Sequence, residues 1–128
     1  MATEMEHGAS LHRDISRAMV RLTHEYTGRG PRRAHTTIRG ITIICVLEDT
    51  LTKGERCLAD LGNDDAVLEM RHQFQDAMRD EAVSEVERLC ERRVVAFMST
   101  NHIDPDLAAE IFILDAPVGG VDEATDLP

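Results

Sequence analysis

The sequence predicts an α+β fold in which three helices pack on a four-stranded mixed or antiparallel sheet, in the order α-β-β-α-α-β-β. Two observations carry this prediction. Apolar residues recur with helical spacing in two long segments, and short apolar or β-branched runs occur as two pairs, one before and one after the second long segment. A chain of 128 residues is the size of one domain. We place that domain at residues 10–115, with residues 1–9 and 116–128 as flexible tails.

The first helix is predicted to start at a Ser10 cap and to end at Gly28, because its apolar positions form one stripe. That stripe consists of Leu11, Ile15, Ala18, Met19, Leu22 and Tyr26. Two strands follow around an Arg39-Gly40 turn, residues 34–38 and 41–47. The second of these strands is apolar on both faces, which is typical of an interior strand covered by helices or by a second subunit.

Thr50 or Thr52 is predicted to cap a short helix that ends near Leu61, and Asp64 to cap a long helix that ends near Cys90. The predicted apolar stripe of the long helix is Val67, Met70, Phe74, Ala77, Met78, Val86 and Leu89. Residues 92–99 and 109–114 are predicted as the last two strands, joined by a loop over residues 101–106.

Composition excludes several classes of protein. The net charge of −10 and an aromatic content of 3% argue against binding of duplex DNA and against base-stacking platforms, so nucleic acid is not an expected partner. Three isolated cysteines favour a reducing compartment, and we expect a cytoplasmic protein. No apolar run approaches the length of a membrane span, so no direct membrane insertion is expected.

The candidate site is the segment from Gly28 to Gly40, which contains four arginines and no acidic residue. Arginine forks suit carboxylates and phosphates, so this segment could bind an anionic ligand or partner. The alternative is a solvated loop whose arginines pair with the protein's own acidic helices. The candidate residues are Arg29, Arg32, Arg33, His35 and Arg39.

Signatures of catalysis are weak. His35 or His102 could act as an acid or base beside convergent arginines, which would make the protein a metabolite sensor or an enzyme. Asn101, His102, Asp104 and Asp106 could ligate a divalent metal, but Asp104-Pro105-Asp106 is better explained by turn and cap chemistry. We therefore expect no catalytic residue, no metal and no cofactor.

Several separate motifs carry a resemblance to a known family. They are residues 15–20, Tyr26-Thr27-Gly28-Arg29-Gly30-Pro31, Ile38-Arg39-Gly40, residues 43–48, Leu51-Thr52-Lys53-Gly54-Glu55 and residues 101–106. Together they resemble the MpsC-like family of small bacterial cytoplasmic proteins, named for one component of a sodium-translocating, membrane-potential-generating system. The resemblance spans about residues 10–115.

The resemblance implies an accessory or regulatory role in a membrane system for cation translocation or inorganic-carbon supply. It implies no catalytic residue set. A membrane-protein partner is possible on this reading. The two-faced apolar strand independently predicts a homo-oligomer, most simply a dimer.

Overall fold

The computed structural model describes residues 4–119, with side chains from Ser10 onward, and it confirms the predicted α+β fold. The elements are α1 (Glu4–Thr27), β1 (Arg33–Arg39), β2 (Thr42–Glu48), α2 (Lys53–Asp60), α3 (Asp64–Cys90), β3 (Val94–His102) and β4 (Leu107–Leu114). The four strands form one antiparallel sheet in the order β1-β2-β4-β3. β2 is therefore an interior strand, as its apolar sequence indicates.

The ends of several elements differ from the sequence prediction. Ser10 lies inside α1, which begins at Glu4, so it does not cap that helix. The N-cap of α3 is Asn63, one residue before the predicted Asp64. Asn101 and His102 pair with Ala108 and Leu107, which lengthens β3 and β4 and shortens the predicted 101–106 loop to a tight turn.

Local chemistry explains the turns and caps. Gly40 adopts a φ of +56° at the first position of the two-residue turn between β1 and β2, a conformation that glycine accepts without strain. Thr52 caps α2 in a capping box: its hydroxyl accepts from the Glu55 N–H at 3.2 Å, and the Glu55 carboxylate accepts from the Thr52 N–H at 2.9 Å.

The core lies between one face of the sheet and the two long helices. α1 packs on β1 and β2, α3 packs on β3, and the two helices pack on each other. Phe112, Ile15, Met19 and Ile43 are completely buried there. Val118, in the segment predicted as a flexible tail, is also buried in this core, whereas residues 120–128 lie outside the described part of the chain.

The other face of the sheet has no helix against it within residues 4–119, since α2 packs on α3. We call this surface the open face. Residues that pair across the strands share a face, and the half-buried or exposed side chains of this face include apolar residues as well as polar and charged ones such as Arg33, Glu48 and His102. Its apolar members are Ile44, Val46, Ala96, Met98, Leu107, Ala109, Ile111 and Ile113.

No helix of residues 4–119 combines the length and the apolar character that crossing a membrane requires.

Candidate functional site

Three of the predicted site residues lie along one edge of the sheet. Arg33, His35 and Arg39 are exposed, and they alternate with the buried Thr36 and Ile38 in the edge strand β1. Alternation in a strand sends every second side chain to the same face. These three side chains therefore stand at the rim of the open face.

The basic residues do not all converge. Arg33 pairs in register with Glu48 at one end of β1, and Arg39 pairs with Thr42 at the other end. Six residues of extended chain span about 20 Å, so one small anion cannot touch both guanidinium groups. Arg33 and His35 share a face at the start of β1, Arg32 directly precedes the strand, and we call these three residues the basic edge.

Arg29 has a different environment from the basic edge. Its Nη2 lies 2.7 Å from Asp49 Oδ2, and its Nε donates to the Asp49 carbonyl at 3.3 Å. By contrast, Arg32 and Arg33 are exposed and form no ion pair within residues 4–119. Arg29 thus pairs with an acidic residue of the protein itself, which is one of the two alternatives that the sequence left open. Within the described residues, Arg32 and Arg33 do not.

Asp106 joins the β3–β4 turn to the segment that precedes α2. Its Oδ1 accepts from the Thr50 N–H at 3.0 Å and from the Thr50 hydroxyl at 2.9 Å, and its Oδ2 accepts from the Leu51 N–H at 3.0 Å. Arg56 bridges Asp106 and Asp49. The turn that the sequence favoured is present, but Asp106 stabilises the segment before α2 rather than capping a helix.

A cleft of about 360 Å³ lies beside Asp106. Its walls come from α2 and the β3–β4 turn, and they include Leu51, Arg56, Asp60, Ile103 and Asp104. Within residues 4–119, no three histidine, cysteine or acidic side chains are grouped so that they could hold a metal ion. The cleft is thus a mixed-charge surface feature bounded by one paired arginine.

His35 and His102 lie apart. Both are exposed, they belong to opposite edge strands, and β2 and β4 lie between them. His102 Nδ1 is 2.8 Å from the Pro105 carbonyl, within the turn. In the part of the chain that the structure describes, neither His35 nor His102 lies in a concave pocket with arginines converging on it.

The described residues also include a polar layer under α3 that the sequence did not reveal. Glu110, on β4, is 1% exposed and accepts from Gln75 Nε2 at 3.0 Å and from the Ser99 hydroxyl. The Gln75 carbonyl in turn accepts from Asn101 Nδ2 at 2.8 Å. This hydrogen bonding fixes α3 against β3 and β4 through polar rather than apolar contacts.

Burial controls the protonation of this layer. Removal from water raises the pKa of Glu110 to about 7, against the opposing effects of hydrogen bonds from Ser99 and Gln75 and of the positive charge of Arg71. The neighbouring thiol of Cys45 has a pKa raised to about 11, mainly by burial. Glu110 is therefore partly protonated near neutral pH, and Cys45 stays a thiol.

Arg71 and Glu55 form a buried ion pair that extends these polar contacts towards α2. Arg71 Nη1 lies 3.4 Å from Glu55 Oε1 and donates to the Thr50 carbonyl at 3.3 Å, and the two side chains are 3% and 2% exposed. Because Glu55 also belongs to the capping box of α2, this pair links α2 to α3. We call Arg71, Glu55, Gln75 and Glu110 the polar layer.

The sequence prediction of the buried stripe on α3 was wrong in this region. The predicted Met70 is 41% exposed, Ala77 is exposed and Phe74 is half-buried. The buried positions are Val67, Arg71, Gln75, Met78, Ala82, Val86 and Cys90. Successive buried positions are four, four, three, four, four and four residues apart, which is helical spacing and was visible in the sequence. The prediction missed Arg71 and Gln75 because it considered only apolar residues.

Comparison with known proteins identifies the family. No curated protein matches the chain, and no solved structure matches it. The family model that matches covers residues 7–116, most of the chain, and its description connects the chain with sodium translocation and a membrane potential. This confirms the resemblance carried by the motifs between residues 15 and 55 and at residues 101–106. The chain belongs to the MpsC family, described as the Na⁺-translocating membrane potential-generating system.

Proposed function

We propose that the protein is a non-enzymatic accessory or regulatory component of a bacterial membrane system for cation translocation or inorganic-carbon supply, the role that the family resemblance implies. It acts in the cytoplasm without a cofactor. It recognises an anionic segment of a membrane-protein partner, or an anionic ligand, through Arg32, Arg33 and His35. Arg29 and Arg39 flank this basic edge.

The observation that supports the proposal is the contrast between the basic edge and its surroundings. The chain has a net charge of −10, yet Arg32 and Arg33 stand exposed at one end of an edge strand. Exposed charges of one sign steer a partner of the opposite sign and set its orientation. Arg29 is held by Asp49 and contributes mainly to the local fold.

Co-purification from detergent-solubilised membranes of the producing bacterium tests this role. We compare the tagged protein with Arg32→Ala/Arg33→Ala and with Arg13→Ala/Arg17→Ala, a matched control in which two exposed arginines of α1 are removed. Recovery of the membrane components is measured by quantitative mass spectrometry. The basic-edge variant should lose about fivefold or more, equivalent to roughly 1 kcal/mol, and the control should not.

Raised salt should mimic the loss, because exposed charge pairs are screened. Equal recovery with all three proteins would overturn the role of the basic edge. Recovery lost equally in both variants would show a general charge effect and would also overturn it.

We further propose that the protein is a homo-oligomer, most simply a dimer. One face of β2 is covered by α1, but Ile44 and Val46 on its other face have no helix against them within residues 4–119. A two-faced apolar strand needs a cover on both sides. Sedimentation velocity at micromolar concentration should show a dimer, and a strict monomer would contradict this proposal.

A further inference from the structure

The open face is an extended, partly apolar surface that the described residues leave without a helix against it. It runs across all four strands in rows that the strand pairing defines. The central row is Thr37, Ile44, Ile111 and Met98, and the next row towards the β1–β2 turn is Arg39, Thr42, Ile113 and Ala96. Met98 is 49% exposed, and Ile41, at the turn itself, is 41% exposed.

We propose that the open face is where a second copy of this chain binds, with the two sheets packed face to face. This inference rests on the homo-oligomer proposed above and names its surface. A second copy supplies an identical sheet face, so the apolar side chains of both copies are buried in one contact. Two sheets that pack face to face lie about 10 Å apart.

The size of the surface fits a dimer. Four strands about 4.8 Å apart, each with seven residues that rise about 3.4 Å, cover a footprint of about 450 Å². The accessible area is larger than the footprint because the side chains stand up from it. Two copies would therefore bury more than about 900 Å² in total, close to the roughly 1,000 Å² at which a specific interface becomes plausible.

Charge selects the orientation of the two copies. Arg33 and Arg39 line the β1 side of the open face, Glu48 lies opposite Arg33 on β2, and the described β3 side carries no lysine, arginine or acidic residue. A two-fold axis across the strands would place β1 on β1 and bring like charges together, which is unfavourable. A two-fold axis along the strands places β1 over β3 and β2 over β4, and it keeps the arginine rows apart.

Charge also argues against a dimer formed through the β1 edges. Antiparallel pairing of two β1 strands centred on Thr36 would set Arg33 opposite Arg39 twice, and like charges directly opposite are destabilising. Two β3 strands could pair without placing like charges opposite each other. That pairing would form a continuous eight-stranded sheet, and the experiment must distinguish it from face-to-face packing.

The test combines sedimentation velocity with small-angle X-ray scattering on the full chain. Ile44→Lys/Ile111→Lys places two charges at the centre of the open face. Leu61→Lys is the control, since Leu61 is a 77% exposed apolar residue at the end of α2. Circular dichroism checks folding, and Ile111→Thr/Ile113→Thr, which keeps β-branched residues in β4, is the second variant if the lysine variant does not fold.

We expect a compact wild-type dimer whose dissociation constant rises about a hundredfold or more in the open-face variant, with the control unchanged. A wild-type monomer would overturn the homo-oligomer. A dimer that survives both open-face variants, or an elongated scattering envelope, would leave the homo-oligomer standing and overturn the open face as its surface. The second result would indicate pairing through β3.

Discussion

The side of the sheet that the helices cover contains two regions with different chemistry. Under α1 most of the buried side chains are apolar, with Ile15 and Met19 completely buried, and Thr23 and Thr36 are the polar exceptions. Under the N-terminal half of α3 they are polar, with Arg71 and Gln75 equally buried. Both regions exclude water to the same degree, but they gain stability in different ways.

Burial of an apolar side chain contributes about 1.5–3 kcal/mol, and the gain depends on volume more than on orientation. A buried ion pair such as Arg71–Glu55 contributes little net stability because desolvation offsets the attraction. The polar layer instead specifies how α2, α3 and β4 meet, since its hydrogen bonds fail if any element shifts. The comparison teaches that equal burial does not mean equal tolerance to substitution.

Removing Arg71 should have the largest effect. Arg71→Ala leaves Glu55 buried without its cation, so we expect a loss of about 3–5 kcal/mol in the free energy of unfolding, measured by urea denaturation. The matched change in the apolar region is Met19→Leu, which conserves volume and should cost less than about 1.5 kcal/mol. A loss below about 1 kcal/mol for Arg71→Ala would show that the two regions do not differ.

A double variant sharpens this comparison. Arg71→Met/Glu55→Gln removes both charges and replaces the carboxylate oxygen that accepts from the Thr52 N–H with an amide oxygen that can accept the same hydrogen bond. It should recover most of the stability lost in Arg71→Ala, because a neutral pair carries no large desolvation cost. If the double variant is no more stable than Arg71→Ala, the stability lost in Arg71→Ala comes from altered packing rather than from the unpaired charge of Glu55.

The second largest effect depends on pH. The folded state raises the pKa of Glu110 to about 7 from an ordinary value of 4.5, so folding favours the protonated carboxyl. This contribution to stability is complete below about pH 4.5 and is lost as the pH rises through 7. Between pH 5 and pH 8 the wild type should lose about 2–3 kcal/mol through this group.

Glu110→Gln removes the titration, so its stability relative to wild type should rise by that amount between pH 5 and pH 8. Urea denaturation of both proteins at the two pH values provides the measurement, and the other titrating groups cancel in the difference. An identical difference at pH 5 and pH 8 would contradict the burial of an ionisable Glu110.

The smallest effect concerns the cap that connects α2 to the polar layer. Thr52→Ala removes the acceptor for the Glu55 N–H and should cost about 1 kcal/mol in unfolding free energy. Ser84→Ala, an exposed position on α3, is the control and should change stability by less than about 0.5 kcal/mol. Equal effects would show that the capping box does not stabilise α2.

Much of the fold was predictable because hydrophobic periodicity is local. The element order, the interior position of β2 and the Thr52 cap were all confirmed. Element ends were less accurate where tertiary pairing extends a strand, as with Asn101 and His102. The candidate site was harder, because the separation of Arg33 from Arg39 depends on β1 being extended over the whole interval.

The amino-acid sequence by itself determined which segments become helices and strands and where the positive charge concentrates, since both follow from residue type and spacing. Only the tertiary structure decided that Asp49 holds Arg29 while Arg32 and Arg33 do not pair, and that Arg71, Gln75 and Glu110 meet inside the protein. These contacts join residues that lie 16 to 35 positions apart in the chain. Their formation depends on how the helices and strands pack together, which no local pattern encodes.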